Sequence, residues 1–166
     1  MAALAKHLAN LFGPWIDYYG GSSAAETIVT FLHLGGLFAA GGLAFALDRA
    51  VLRSGRHPLP RREDVARDMG YAHKLILIGL GVVAVSGLAM TAADPKTYLV
   101  STIFWLKMTA VVLLLANGWF LKRAGERLAE EPDAPTAFRR LRRAAMRSMG
   151  LWVVTLLAGV ALTVYG

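Results

Sequence analysis

The sequence predicts an all-α fold: a four-transmembrane-helix bundle preceded by a short N-terminal amphipathic helix at the membrane interface. Three observations predict it. The 166 residues are 56% hydrophobic and 17% charged, with a mean hydropathy of +0.49, too apolar for a soluble domain of this size. Four stretches, residues 24–47, 75–93, 98–121 and 148–165, each run 18 residues or more and together hold two charges, Glu26 and Lys107; each is long enough to cross a bilayer. Lipid offers the backbone no partners, so a span must be a helix or part of a closed barrel, and none of these stretches alternates in polarity as a barrel strand would. No repeat with a period of about 20–50 residues is visible, so the chain reads as a single membrane domain over residues 1–166.

Taken in order, residues 1–22 form the interfacial segment. Lys6 is the only positive charge in the first 20 residues and the apolar run breaks at Gly13-Pro14, which does not make a signal peptide. Residues 2–12 read as an amphipathic helix with Leu4, Leu8, Leu11 and Phe12 on one side. Trp15, Tyr18 and Tyr19 follow, aromatic rings of the kind that prefer the interface. Ser23 is placed to cap the first span, with Glu26 three residues on. Inside that span Gly35-Gly36 and Gly41-Gly42 mark a surface where either a neighbouring helix or a flat ligand approaches closely. Pro58 and Pro60 predict an irregular loop, after which residues 63–69 begin the second helix below the membrane. The second span carries another small-residue surface with Gly79, Gly81, Ser86 and Gly87. The third is bulkier, with Phe104, Trp105, Leu113 to Leu115 and Trp119, and carries polar Asn117 two turns from its basic end. Pro132 and Pro135 predict a turn, and residues 137–147 a basic helix leading into the fourth span. That run suits anionic lipid head groups or simply reflects membrane orientation.

The net charge of +7 is a topology signal. Of 18 Lys and Arg, seven lie in residues 48–74 and eight in residues 122–147, which puts both loops in the cytoplasm and both termini outside. Each basic loop also holds four acids and lacks interleaved aromatics, which argues against a nucleic-acid partner. With no cysteine, disulfides, thiolate metal sites and covalent haem attachment are excluded.

Chemistry concentrates in a few polar residues. Lys107 is the sole charge in the 24 residues from 98 to 121; an ammonium at that depth either snorkels to the surface or marks a functional site. His33 lies nine residues into its own span and Lys107 nine residues into residues 98–121, about 13–14 Å from the same membrane face at 1.5 Å per residue. A polar layer of His33, Ser86, Lys107 and Thr155 follows. His33 then serves as a cross-bundle hydrogen-bonding residue or as a metal ligand. His73 should sit roughly 15 Å lower, which disfavours ligation of one iron by both histidines. His7 and His57 read as interfacial and loop residues, and Asp48, His73, Lys74, Arg123 and Arg147 as a solvated ion network. Met90 and Met108 read as packing residues before copper ligands.

The stretch from Tyr98 through Phe104-Trp105-Leu106-Lys107 to Asn117 resembles the lysine-bearing helix of copper-resistance D (CopD) membrane domains and HemJ-type protoporphyrinogen oxidases. Ser86-Gly87-Leu88-Ala89-Met90 resembles the end of the preceding helix in that group, and Phe31-Leu32-His33 followed by glycines and Asp48-Arg49 is similar to its first helix. The resemblance implies a bacterial inner-membrane redox protein that binds haem b or a related porphyrin. His33 would be the metal ligand and Lys107 both a catalytic and a cofactor-binding residue, with Gly36 and Ser86 completing the cofactor site. A quinone-like small molecule is a further expected ligand, and a homo-oligomer or larger membrane complex an expected assembly. Two alternatives stand beside it: copper transport or tolerance through His33, Met90 and Met108, and a non-catalytic membrane subunit. The chain lacks the Met-rich or His-rich loop expected for copper handling.

Overall fold

The computed structural model describes residues 2–54, 60–130 and 135–165, with side chains described for 4–53, 72–128, 130 and 136–165. His57, Pro58, Pro132 and the side chains of residues 63–69 lie outside the described set. Seven helices follow one another among the described residues: α1 (Ala2–Leu11), α2 (Gly13–Gly21), α3 (Ser23–Ser54), α4 (Pro60–Ala93), α5 (Pro95–Val100), α6 (Thr102–Glu130) and α7 (Pro135–Tyr165). Four of them, over Ser23–Arg53, Ala72–Ala93, Thr102–Leu128 and Thr136–Tyr165, are long and apolar enough to cross a membrane. The protein is a multi-pass, all-α membrane bundle.

The long helices form a square in the order α3, α4, α6, α7, with α3 diagonal to α6 and α4 diagonal to α7. Apolar side chains gain nothing from leaving lipid for a protein interior, so close van der Waals contact and buried polar bonds must hold such a bundle. The α3–α4 seam shows how. A Cβ added to Gly79 would stand 2.9 Å from the Ala40 Cβ, and one added to Gly36 would stand 2.9 Å from a Val83 methyl; the two helices touch nearly backbone to backbone. Gly41 gives room to Trp152 of α7, whose ring lies 3.2 Å from where a Gly41 Cβ would be and is 2% exposed. Between α6 and α7, Asn117 donates through its side-chain amide to the Ala144 carbonyl at 2.9 Å. Large apolar side chains point outward, Phe38 at 85% and Phe31 at 71% exposure, as a lipid-facing surface requires.

One end of the square is capped by the short helices. α1 buries Ala5 against Leu99, Phe104 and Leu162, with Leu8 beside them, and α2 is tied to the end of α4 by the Trp15 indole donating to the Ala89 carbonyl at 2.9 Å. Leu4, Leu11 and Phe12 of the expected apolar side are exposed, as the lipid-facing side of an interfacial helix is, while Ala5 lets the helix sit close to α5. The first-span cap is Ser22 and not Ser23, since the Ser22 hydroxyl accepts from the Ala25 amide at 3.3 Å. The third span starts later than predicted, at Thr102, and runs further, to Leu128. Asp94 accepts from the Thr97 amide at 3.1 Å with Pro95 at the first helical position, starting α5. Ser101, extended at φ −74° and ψ 125°, ends α5, and its hydroxyl accepts from Phe104 at 3.4 Å to start α6. Residues 98–100 thus belong to the cap.

At the other, basic end the helices continue beyond the apolar windows. Val51, Leu121, Leu128, Phe138, Leu141, Ala144 and Ala145 form a buried cluster there, and Arg139, Arg140, Arg142 and Arg143 face outward. The basic run is a straight extension of the bundle, with Pro60 and Pro135 as first residues of α4 and α7, where a missing amide hydrogen is harmless.

Candidate functional site

His33 is buried on α3, and its ring is held from α4. Nδ1 lies 3.1 Å from the Val83 carbonyl and 3.1 Å from the Ser86 hydroxyl. A carbonyl can only accept, so Nδ1 carries the proton. The Ser86 hydroxyl donates to the Val82 carbonyl at 2.7 Å, which turns its oxygen lone pairs toward His33. Both hydrogen bonds of the imidazole therefore run through Nδ1, and Nε2 keeps its lone pair with no described hydrogen-bond partner. A protein holds a metal-ligating histidine in this way, with the second ring nitrogen donating to a carbonyl and fixing tautomer and orientation. Gly87 completes the seat, since a Cβ there would stand 3.1 Å from the His33 Cε1.

Lys107 projects from α6, the helix diagonal to α3, and its ammonium lies 3.7 Å from where a Cβ on Gly159 of α7 would be. Among the described residues the only ion pair is Lys122 with Glu126 at 3.8 Å, so no described carboxylate neutralises Lys107. The depth expected for Lys107 needs correction because α6 begins at Thr102: the residue lies only five positions in, about 7–8 Å. The common level survives on other grounds. Ser86 is seven residues from the end of α4 and Gly159 six from the end of α7, about 10 Å and 9 Å from the capped end respectively. Thr155, one turn further along α7, is 3% exposed and donates to the Leu151 carbonyl at 2.8 Å.

The structure thus brings His33, Ser86 and Lys107 to one level. Gly36, one turn along α3 from His33, faces α4, where an added Cβ would meet a Val83 methyl at 2.9 Å and the Gly79 carbonyl at 3.2 Å. His73 lies far from this level. It shares α4 with Ser86 but precedes it by 13 residues, about 20 Å along the helix, and its ring faces Gly118 of α6. Met108 packs with the Leu99 and Phe104 cluster, and among the described residues no three His, Asp or Glu side chains gather as a metal site.

The predicted ion network at the basic end is also revised. Asp48 is 1% exposed rather than solvated. Arg123 stacks 4.0 Å over the Trp119 ring, and Arg147 turns back to the Arg143 carbonyl at 3.4 Å. Arg123, Arg127, Arg140 and Arg147 line an open groove of about 720 Å³ between α6 and α7. Asp48 instead borders a separate cavity, with Ser148 of α7 facing its carboxylate. Sequence reasoning missed this group, although the four-residue ladder Gly36, Ala40, Ala44, Asp48 places the acid on the small, buried face of α3.

Comparison with known protein families, characterised proteins and solved structures yields no match for this chain.

Proposed function

We propose that this membrane bundle is a redox protein that binds a b-type haem or related porphyrin near its capped end, with His33 as the single histidine ligand and Lys107 as the partner of an anionic group on the porphyrin or its substrate. The observation that carries the reading is the pairing of two unfulfilled groups at one level: an imidazole whose Nε2 is left open by two bonds to Nδ1, and a largely buried ammonium with no described counter-ion. A neutral imidazole is a good iron ligand and a propionate a good counter-ion for a lysine in lipid. Of His33 and His73 only His33 would hold the group here, because His73 is about 20 Å away along α4. Bound there, the porphyrin would supply one-electron chemistry. The chain's own residues do the rest: Ser86 and Val83 orient the ligand ring, Lys107 places the acidic edge, and α1 and α2 close the site from the nearer end. The basic loops orient this end toward the outside of a bacterial inner membrane.

Purified protein supplied with haem should show a Soret band that His33→Ala removes. Absence of a Soret band after reconstitution would overturn the reading in favour of a non-catalytic subunit; copper retained only when His33 is present would favour the metal-transport alternative.

A further inference from the structure

Asp48 bears a carboxylate that the fold buries without completing its partners. Ser148 faces it, yet Oδ2 has no hydrogen-bond partner among the described residues. Leaving a buried acceptor unmet is costly, and more so for a charged group, so a ligand that donates a hydrogen bond here gains what the fold lacks. The carboxylate borders a cavity of about 250 Å³, slightly below the roughly 300–1,000 Å³ of sites that enclose drug-sized molecules. The space suits one substituted ring.

The lining selects the kind of ring. Its walls are aliphatic and aromatic, Trp152 among them, and its polar groups are Asp48, Ser148, His73 and Lys122. The three side-chain oxygens of Asp48 and Ser148 are too few for a hard cation, which takes six or more oxygens. Leu77 of α4 and Leu115 and Trp119 of α6 also line the space and are 51%, 47% and 50% exposed. The cavity therefore opens sideways, through the α4–α6 seam, toward the lipid. A ligand arriving that way must be lipid-soluble and carry an O–H donor, with a second oxygen for the His73 ring.

We propose that this cavity binds the head group of a lipid-soluble aromatic diol of the hydroquinone class, one ring hydroxyl donating to Oδ2 of Asp48 and the other oxygen lying toward His73. The site is separate from the His33 and Lys107 level and does not depend on the porphyrin reading.

The test uses the intact protein in lipid nanodiscs under anaerobic conditions, titrated with an alkylhydroquinone and followed by quenching of tryptophan fluorescence, since Trp119 and Trp152 line the cavity. Binding should saturate, and the dimethyl ether of the same compound, which has no O–H, should bind at least tenfold more weakly. Asp48→Asn should weaken hydroquinone binding about tenfold while unfolding at the same or a higher temperature than the parent. Quenching that rises linearly without saturation, an ether that binds as tightly as the diol, or an Asp48→Asn protein with unchanged affinity would each overturn the proposal. The ether comparison needs only the parent protein, so it decides the matter even if the variant fails to fold.

Discussion

His33 and Ser86 share a 3.1 Å contact between the imidazole Nδ1 and the serine hydroxyl, and the hydroxyl's own proton is committed to Val82. The serine thus acts as an acceptor that helps the Val83 carbonyl keep the proton on Nδ1. Ser86→Ala removes one of the two acceptors and leaves the other. Groups that orient a metal-bound histidine typically contribute about 10–100-fold to affinity when lost; with Val83 still present, a fall of about tenfold in haem affinity is expected, measured by titrating the Soret absorbance. Stability should change by no more than about 1 kcal/mol.

Gly87 and Gly81 lie on the same helix and separate packing from propensity. A methyl at Gly87 meets the His33 ring at 3.1 Å, whereas Gly81 has nothing within 4 Å. Gly87→Ala should displace the ring and reduce haem binding by tenfold or more, while Gly81→Ala should leave it unchanged. Equal effects in the two variants would show that the contact with His33 is not what matters.

The α3–α4 seam makes a prediction about stability alone. Gly79→Ala would set a methyl 2.9 Å from the Ala40 Cβ and 3.5 Å from its Cα, a clash that only helix displacement can relieve. A loss of about 1–3 kcal/mol is expected for such overpacking, read as a lower midpoint in detergent unfolding, with Gly42→Ala, which meets nothing within 4 Å, as the control.

Much of this architecture was legible from residues alone, and the parts that were not share a physical reason. The four spans follow from apolar length, and the meeting of His33 with Ser86 follows from counting helical rise, because both are set by backbone geometry. The start of α6 was not legible: residues 98–100 are as apolar as the span behind them, and only the caps at Asp94 and Ser101 separate the two helices. The contact of α1 with the bundle was not legible either, because in lipid a small residue, here Ala5, makes the close contact. Asp48 read as solvated because it stands at the basic end among His73, Lys74, Arg123 and Arg147. Successive helical positions turn about 100°, so neighbours in sequence face different surroundings.

Lys107 offers a test of ligand charge. If its ammonium pairs with a carboxylate of the bound porphyrin, the parent should prefer haem to haem dimethyl ester. Lys107→Met should abolish that preference by weakening haem about tenfold or more and the ester by less than threefold, since one charge-assisted hydrogen bond contributes about 1.5–3 kcal/mol. A preference that persists in Lys107→Met would remove the lysine from the site.

The most direct test compares two histidine variants by absorption spectroscopy of the purified, haem-supplied protein, oxidised and reduced. Val83, Ser86 and Gly87 fix His33 near the capped end, about 20 Å along α4 from His73, so one iron cannot use both. The account predicts that His33→Ala loses the Soret band while His73→Ala keeps the parental spectrum. A band that survives His33→Ala, or that vanishes in both variants, would contradict it.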